Sequence, residues 1–294
     1  PVRAVEAPGA AASIRMTVTN LSNYTDDFLV RLVSNSLGWP VNFQIAATAE
    51  NEYIVTLAPN ASAAFMVDVT VPAGTAAGAQ TDLHFAVESQ RDPYLVDSIQ
   101  LDVTAADVAG VALAPNNSSQ AAADSVVVYA HTLTNNGNFE DSIALSAASS
   151  KGWSVVVAPV LAKLAPGDST TVHVSVTVPA GAGGSIDTTT VTATSSSPLG
   201  GSVATATDTT AIPHLAGISF SPGTAKQTIP GETITFTHQI TNTGNGPDTF
   251  NFAFASVNGW PINGPAAVTL PAGATQSINV GVSVPPGYYD GTDV

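Results

Sequence analysis

Three short motifs recur in the same order along this chain of 294 residues, and no other feature restricts the fold as strongly. A Gly-Trp pair is followed by a turn of the type Leu-Ala-Pro and then by a segment that reads Val-x-Val-Pro. The last motif begins at Val69 and returns after 107 and then 106 residues, at Val176 and Val282. Several motifs with one order and one spacing predict three copies of a single domain.

The three copies are expected to span residues 1–106, 107–212 and 213–294. The segments between them are only a few residues long and lack the Gly and Ser of a flexible tether, so we expect domains joined end to end in a stiff rod. The third copy is about 25 residues shorter than the second and lacks its last strands. Either the parent chain continues, or a neighbouring chain supplies those strands.

Each copy is expected to be built from β-strands. In the segment 171–178, apolar residues alternate strictly with polar ones, so that Val172, Val174, Val176 and Val178 share one face. Phe65, Val67, Val69 and Val71 repeat this pattern in the first copy, and Ile278, Val280, Val282 and Val284 repeat it in the third. One apolar and one polar face is typical of an antiparallel sheet packed on a second sheet. The sequence therefore predicts an all-β protein of tandem Ig-like β-sandwiches, with three copies of which the third is incomplete.

Proline spacing adds a more detailed expectation. Pro8, Pro115 and Pro222 each lie 107 residues after the previous one and are expected to close the first strand of each copy.

Composition restricts the partners. Lys and Arg number 7 against 22 acidic residues, which gives a formal net charge of −15 and disfavours binding to nucleic acid or to anionic membranes. The chain has no cysteine, which excludes disulfides and zinc–thiolate sites. No apolar run approaches the roughly 18 residues of a membrane span, and no cofactor motif is present.

A polar signature marks one turn in every copy. It begins at Asn20, Asn135 and Asn242 and ends at Asp26, Asp141 and Asp248, with Asn23, Asn138 and Asn245 between them. One hypothesis is a calcium site, but each turn offers a single recurring carboxylate where calcium needs six to eight oxygens. The favoured interpretation is that the Asn and Asp side chains bond the backbone of their own turn.

The recurring tryptophans and two histidines are candidate residues for sugar binding and metal binding. Trp39, Trp153 and Trp260 could stack on sugars, but a tryptophan at one position in every copy favours a core role with its ring buried. His131 and His238 lie on the apolar face of their strand, where the first copy has Met16. A position that accepts methionine indicates packing and disfavours metal binding.

The string T-N-x-G-N-x-x-D-[ST]-[FI], seen from Thr134 to Ile143, together with the Gly-Trp, Leu-Ala-Pro-Gly and Val-Thr-Val-Pro-Ala-Gly motifs, resembles bacterial Ig-like tandem repeats. Repeats of this kind are the cell-adhesion-related type and the type appended to some secreted α-galactosidases. The resemblance covers the whole chain and implies an extracellular, non-catalytic module. The first copy departs from it at Leu21-Ser22, where the others have Gly.

These observations favour a structural component of a bacterial cell surface, such as a surface layer, an adhesin stalk or an extracellular filament. The alternative is an accessory region of a large secreted hydrolase, carbohydrate-active or other, and the full-length gene would discriminate between the two. The chain carries no G-x-S-x-G, H-E-x-x-H or phosphate-loop motif, so we expect it not to be an enzyme. Expected partners are further copies or other surface proteins, and a glycan contact stays an open alternative that no sequence feature supports.

Overall fold

The computed structural model describes residues 1–44, 52–197, 201–221 and 223–287. Within these ranges the chain forms strands and turns and no helix, so that none of the described residues belongs to a helix able to span a membrane. The predicted all-β class is confirmed. No sheet described below combines strands from two of the three copies.

The first sandwich contains two sheets. One has the strand order β1-β8-β7-β3-β5 and the other β2-β6-β4. Neighbouring strands are antiparallel except for β1 and β8, which are parallel. The strands are β1 (Val2–Glu6), β2 (Ala11–Thr19), β3 (Asp26–Asn35), β4 (Val41–Phe43), β5 (Glu52–Leu57), β6 (Ser62–Thr70), β7 (Gln80–Ser89) and β8 (Val96–Ala105).

The second sandwich repeats this arrangement and adds a strand at its start. Its sheets have the orders β10-β17-β16-β12-β14 and β13-β15-β11-β9, and β10 is parallel to β17. The strands are β9 (Val111–Ala114), β10 (Asn117–Gln120), β11 (Ser125–Asn135), β12 (Asp141–Ser149), β13 (Ser154–Ala158), β14 (Leu161–Leu164), β15 (Ser169–Val178), β16 (Ile186–Ser195) and β17 (Val203–Ala211).

The described part of the third copy forms one full sheet and part of another. The sheets are β18-β19-β23-β21 and the pair β20-β22, which correspond to β9-β11-β15-β13 and β12-β14 of the second copy. The strands are β18 (Ile218–Phe220), β19 (Thr233–Asn242), β20 (Asp248–Asn251), β21 (Ile262–Asn263), β22 (Ala267–Leu270) and β23 (Thr275–Ser283).

Strict alternation of burial places the cores. Val172, Val174, Val176 and Val178 of β15 are buried, whereas His173 and Thr177 between them are exposed. The corresponding apolar residues of β6 are also buried, and those of β23 are buried except for Val282, which is half-buried. This alternation satisfies the requirement that one face of each sheet packs on the other sheet.

The recurring Gly-Trp motif is explained by backbone geometry. Gly38, Gly152 and Gly259 have φ values of 66°, 71° and 70°, in the left-handed region that side chains with a Cβ seldom adopt. The Leu-Ala-Pro turn likewise ends on left-handed residues, with glycine in two copies and Asn60 (φ 61°) in the first. The motifs seen in the sequence therefore mark the turns that need this conformation.

Pro8 and Pro115 follow the first strands of their copies, β1 and β9, as expected, but these two strands are not equivalent. Val2 on β1 faces Leu101, and Asn117 on β10 faces Asp208, so that the first copy aligns with the second at a spacing of 115 residues in this region. Pro8 thus occupies the place of Ala123, after β1, whereas Pro115 lies between β9 and β10. The spacing of 107 does not apply there because the first copy is longer between Asn20 and Leu57 (37 residues) than the second is between Asn135 and Leu164 (29 residues). Pro222 lies outside the described residues.

The second sandwich has a polar centre that the first lacks. His131 is 1% exposed, donates from Nδ1 to the Pro115 carbonyl (2.8 Å) and places Nε2 at 3.0 Å from Asp208 Oδ2. Asn117 donates to the other oxygen of Asp208 at 3.0 Å. The equivalent positions in the first sandwich are Met16, Leu101 and Val2. The histidine is a packing residue, as predicted, but its partner Asp208 was not anticipated.

A second buried carboxylate lies nearby. Burial raises the pKa of Asp187, but four hydrogen bonds outweigh this effect and leave the pKa lowered. The donors are the hydroxyls of Ser149 (2.7 Å), Ser150 (2.9 Å) and Thr189 (2.8 Å) and the N–H of Lys151 (3.0 Å). The stabilisation is present above the ordinary pKa of about 4 and is lost as the pH falls through the lowered value.

The paired core groups generate a prediction. His131→Met or Asp208→Leu alone should destabilise the second sandwich by about 1–3 kcal/mol or more, because each leaves a buried polar atom of the other residue, Asp208 Oδ2 or His131 Nε2, without a hydrogen bond. The triple variant His131→Met, Asp208→Leu and Asn117→Val installs the residues of the first sandwich and should recover most of that loss. Hydrogen exchange at the β11 and β17 amides of the full chain measures this stability locally. A triple variant as unstable as the worst single variant would contradict the prediction.

Candidate functional site: the joints between the sandwiches

A fully buried asparagine lies at the C-terminal end of β2, β11 and β19, the equivalent strands of the three copies. Asn20, Asn135 and Asn242 are all 0% exposed. Each side chain donates from Nδ2 to two carbonyls, one four residues further on and the other at the end of a distant strand. The acceptors are Tyr24 (2.8 Å) and Leu57 (2.9 Å), then Phe139 and Leu164 (both 2.9 Å), then Gly246 and Leu270 (both 2.9 Å).

The same residue is also bonded through its other polar atoms. Asn135 Oδ1 accepts the N–H of Gly137 at 2.8 Å, and the Asn135 carbonyl accepts the N–H of Gly167 at 2.8 Å. Equivalent bonds are present at Asn20 and Asn242. We call this arrangement the asparagine clip, since it ties the turn after β2, β11 or β19 to the turn before β6, β15 or β23. It fixes the turn on which the joint is built.

The joint between the first two sandwiches centres on Asn138, three residues after the clip. Its Oδ1 accepts the N–H of Val108 at 2.8 Å, and its Nδ2 donates to the carbonyls of Ala106 (2.9 Å) and Thr75 (3.1 Å). The Asn138 carbonyl accepts the N–H of Ala77 at 3.0 Å. One residue of the second sandwich therefore holds both the linker and a loop of the first sandwich.

The second joint repeats this geometry. Asn245 Oδ1 accepts the N–H of Leu215 at 2.7 Å, and Nδ2 donates to the Pro213 carbonyl at 2.9 Å. The Asn245 carbonyl accepts the N–H of Gly183 at 2.8 Å. Three of the four hydrogen bonds are thus common to both joints although their sequences differ, so the joint is a repeated structural feature of the chain.

Glycine makes the close approach of the linker feasible. A Cβ at position 137 would lie 2.7 Å from the Val108 carbonyl oxygen, and one at position 244 would lie 2.6 Å from that of Leu215. Such contacts are shorter than real Cβ atoms show, so only glycine fits at these two positions. The joint also leaves a cleft lined by Gly74, Ala76, Val108 and neighbouring residues, without a charged side chain among its described lining.

The interpretation of the middle asparagine is corrected for two copies. Asn138 and Asn245 were expected to bond the backbone of their own turn, but their side chains bond the linker instead. The feature of the sequence that could have predicted this is the pair of glycines Gly110 and Gly137. Each lacks a Cβ, and this lets the linker and the turn approach each other closely at the joint. Asn23, at the same position of the first sandwich, is exposed, and among the described residues its side chain has no hydrogen bond.

The recurring aspartates begin β3, β12 and β20. Asp26 and Asp141 are buried, and Asp248 is half-buried. Asp26 accepts from its neighbour's N–H (2.8 Å) and from the Ser89 hydroxyl, and Asp141 accepts from the N–H and hydroxyl of Ser196 (both 3.3 Å). Asp26 and Asp141 thus connect the start of their own strand to the end of a strand that is distant in sequence. Asp248 accepts the N–H of the next residue, Thr249.

The tryptophans differ in burial. Trp39 is 5% exposed within the first core, whereas Trp153 and Trp260 are half-buried. Trp153 packs between the main core of its sandwich and a smaller cluster of Val178, Ala182 and Ile212 next to the second linker. Within the described ranges, no group of three or more His, Cys, Asp or Glu side chains is arranged to hold a metal ion.

Comparisons with known proteins give distant likenesses only. No family model and no curated protein matches the chain. Among solved structures, a Porphyromonas gingivalis W83 protein of unknown function has 14% identity and a TM-score of 0.27, over 72% of this chain and 94% of that one. Human CDH23 EC21-23 has 14% identity and a TM-score of 0.35, over 84% of this chain and 85% of that one.

A third solved structure with similarity is an endo-fucoidan hydrolase from glycoside hydrolase family 107. It has 10% identity and a TM-score of 0.26, over 72% of this chain but only 28% of the hydrolase. At such scores these likenesses carry no argument about role. The Ig-like fold rests on the sheets described above.

Removing the clip should be costly. Asn135→Ala leaves buried carbonyls and an N–H without partners, so we expect the second sandwich to lose roughly 3 kcal/mol or more. Asn136→Ala is the matched control, because Asn136 is exposed and should change stability by less than about 0.5 kcal/mol. Chemical denaturation of both variants measures the difference, and equal midpoints would show that the clip does not stabilise the domain.

Removing the joint residue should have a different effect. Asn138→Ala should speed exchange of the Val108 N–H by about tenfold, because the loss of about 1–1.5 kcal/mol of hydrogen bonding opens the linker. Exchange at core amides of β6 and β15 should stay unchanged, which separates this variant from Asn135→Ala. Slow exchange at Val108 in the variant would mean that other contacts hold the joint.

Proposed function

We propose that the chain is a non-catalytic, extracellular structural segment that acts as a stiff rod of Ig-like sandwiches. The observation that carries this proposal is the repetition of one joint, with Asn138 and Asn245 in the same role. If the domains only had to be tethered, neither the asparagine hydrogen bonds to the linker nor the glycines that let the linker approach would be needed at both joints. Rigid spacing is the property that this matching provides.

The linkers support stiffness because they have almost no free length. The N–H of Val108 and the carbonyls of Ala106, Val108 and Gly110 are all hydrogen-bonded to the turn around Asn138. Fixing the backbone of each residue costs about 1–2 kcal/mol of conformational entropy. A linker that is fixed in this way cannot act as a random-coil hinge.

The surface supports a role outside the cell. The exposed faces of the strands are covered largely by Ser, Thr and Ala, as at Thr171, Thr188 and Thr205. Only 10% of the residues are charged. Together with the resemblance of Thr134–Ile143 to cell-adhesion-related bacterial repeats, this favours a surface layer, an adhesin stalk or an extracellular filament. Expected partners are other surface proteins or further copies of the chain.

The proposal includes the absence of catalysis. The buried carboxylates Asp26, Asp187 and Asp208 are each engaged by two or more hydrogen bonds that hold strands or turns together. A catalytic carboxylate must reach substrate in a cleft. The role of these groups is therefore structural.

Solution scattering tests the rod. Strands of about ten residues make each sandwich roughly 35 Å long, so three in line should give a radius of gyration of about 30 Å. A compact protein of this length would have about 19 Å. Combining Asn138→Ala with Asn245→Ala should broaden the distribution of interatomic distances while circular dichroism stays unchanged. A radius near 19 Å, or an unchanged distribution in the double variant, would contradict the proposal.

A further inference from the structure

The first sandwich has an open edge where the other two copies are covered. Among the described strands, β2 pairs only with β6 and lies at the edge of its sheet. Its counterpart β11 pairs with both β15 and β9, and β19 pairs with both β23 and β18. The covering strands β9 and β18 both begin just after the linker. The first sandwich thus presents a β edge that a strand occupies twice elsewhere in the same molecule.

The position of the open edge can be given residue by residue. In the second sandwich Leu133 faces Leu113, and Asn135 faces Val111. At the spacing of 115 residues found for the clip, these β11 residues correspond to Val18 and Asn20 of β2. Pro1 corresponds to Asn116, so a segment equivalent to residues 106–115 would enter directly ahead of Pro1.

Hydrogen-bonding groups are also left open there. The N–H groups of Asn136 and Asn138 donate to the carbonyls of Gly110 (2.8 Å) and Val108 (3.1 Å). Within the described part of the chain, the corresponding N–H groups of Leu21 and Asn23 have no hydrogen-bond acceptor. The Asn23 side chain is exposed as well, whereas Asn138 uses its side chain to hold the linker.

An apolar position is uncovered at the same place. Ala206 of β17 is 1% exposed because Leu113 of β9 packs in the same core. Its counterpart on β8, Ile99, is 44% exposed. An inward-facing isoleucine with this exposure lacks the covering residue that β9 supplies in the second sandwich.

We propose that this edge is an acceptor for the linker strand of a further repeat of the same type. The occupant is an extended segment that resembles residues 108–115 and 215–222 in sequence. These two segments read V-A-G-V-A-L-A-P and L-A-G-I-S-F-S-P. Both therefore have apolar residues at positions 1, 4 and 6, a glycine at position 3 and a proline at position 8. The strand adds to β2 by backbone hydrogen bonds, its leucine or phenylalanine covers Ile99, and Asn23 holds the linker. This inference does not depend on where the rod is located or what it carries.

Ser22 modifies the fit. It stands at the position of Gly137 and Gly244, where a Cβ would lie 2.7 Å or 2.6 Å from the linker carbonyl. The strand segment pairs with residues 17–20 and is not affected, but the linker must lie slightly further from the turn. Ser22→Gly should therefore tighten the linker and leave strand pairing as it is.

The test joins a copy of residues 106–115 directly ahead of Pro1 of the full chain. We expect amide exchange at Leu21 and Asn23 to slow by at least tenfold and the first sandwich to unfold at a higher temperature. The matched control carries the same extension with Ser in place of its Val111 and Leu113 equivalents, and it should give neither effect. In the extended chain, Asn23→Ala should speed amide exchange in the added linker, because the linker loses its hydrogen bonds to the asparagine. Ser22→Gly should slow that exchange further.

The outcomes that overturn the proposal are distinct from those for the rod. Equal exchange at Leu21 and Asn23 with the authentic and the serine-substituted extension would show that the edge does not accept this strand. If the unextended chain forms a dimer by sedimentation with residues 17–23 protected, a second copy occupies the edge and the proposal is wrong. The exchange result would leave the scattering expected for three sandwiches in line unchanged, and a dimer would be recognised separately by its doubled mass.

Discussion

The buried side chain of one asparagine per copy is the interaction on which the joints depend. Asn20, Asn135 and Asn242 are inaccessible to water, so every polar atom must be bonded within the protein, and the surrounding carbonyls allow one arrangement of the turn. That arrangement places the residue three positions later at the tip of the sandwich. The joint is therefore a consequence of core hydrogen bonding, and its geometry is inherited by every copy that contains the clip.

Much of this architecture follows from the sequence because its cause is local. Alternation in residues 171–178 predicts the buried face of β15, and the Gly-Trp pairs mark turns that need a left-handed residue. Contacts between distant residues could not be predicted in this way. Asn23 and Asn138 occupy the same position of the same turn, but what Asn138 binds, the linker and the Thr75 loop, lies far from it in the sequence. Asp208 was missed because it lies among threonines, where a half-buried strand normally shows its polar face. The spacing of the prolines suggested an equivalence that strand register excludes.

The first two sandwiches show that one backbone arrangement accepts cores of opposite character. Met16, Leu101 and Val2 of the first sandwich correspond to His131, Asp208 and Asn117 of the second. A buried set of hydrogen-bonded polar groups and an apolar cluster of similar volume can have comparable stability, since desolvation offsets much of what the hydrogen bonds contribute. What remains constant between the copies is the clip and the left-handed turns. The core residues can therefore differ between two sandwiches while both keep the turn geometry on which the joint depends.

The parallel pairing of β1 with β8 and of β10 with β17 affects how a sandwich resists mechanical tension. In the first sandwich β1 lies beside β8, with residues 2–6 facing residues 101–105, and in the second β10 lies beside β17. A pull on the two ends of the domain draws these parallel neighbours in opposite directions along their common axis. The hydrogen bonds between them are then strained together in shear, whereas an antiparallel hairpin pulled from its open end would lose its bonds one after another. Force transmitted along the chain is therefore resisted by the row of hydrogen bonds between β1 and β8 in the first sandwich, and between β10 and β17 in the second, where β9 precedes β10 and lies in the other sheet.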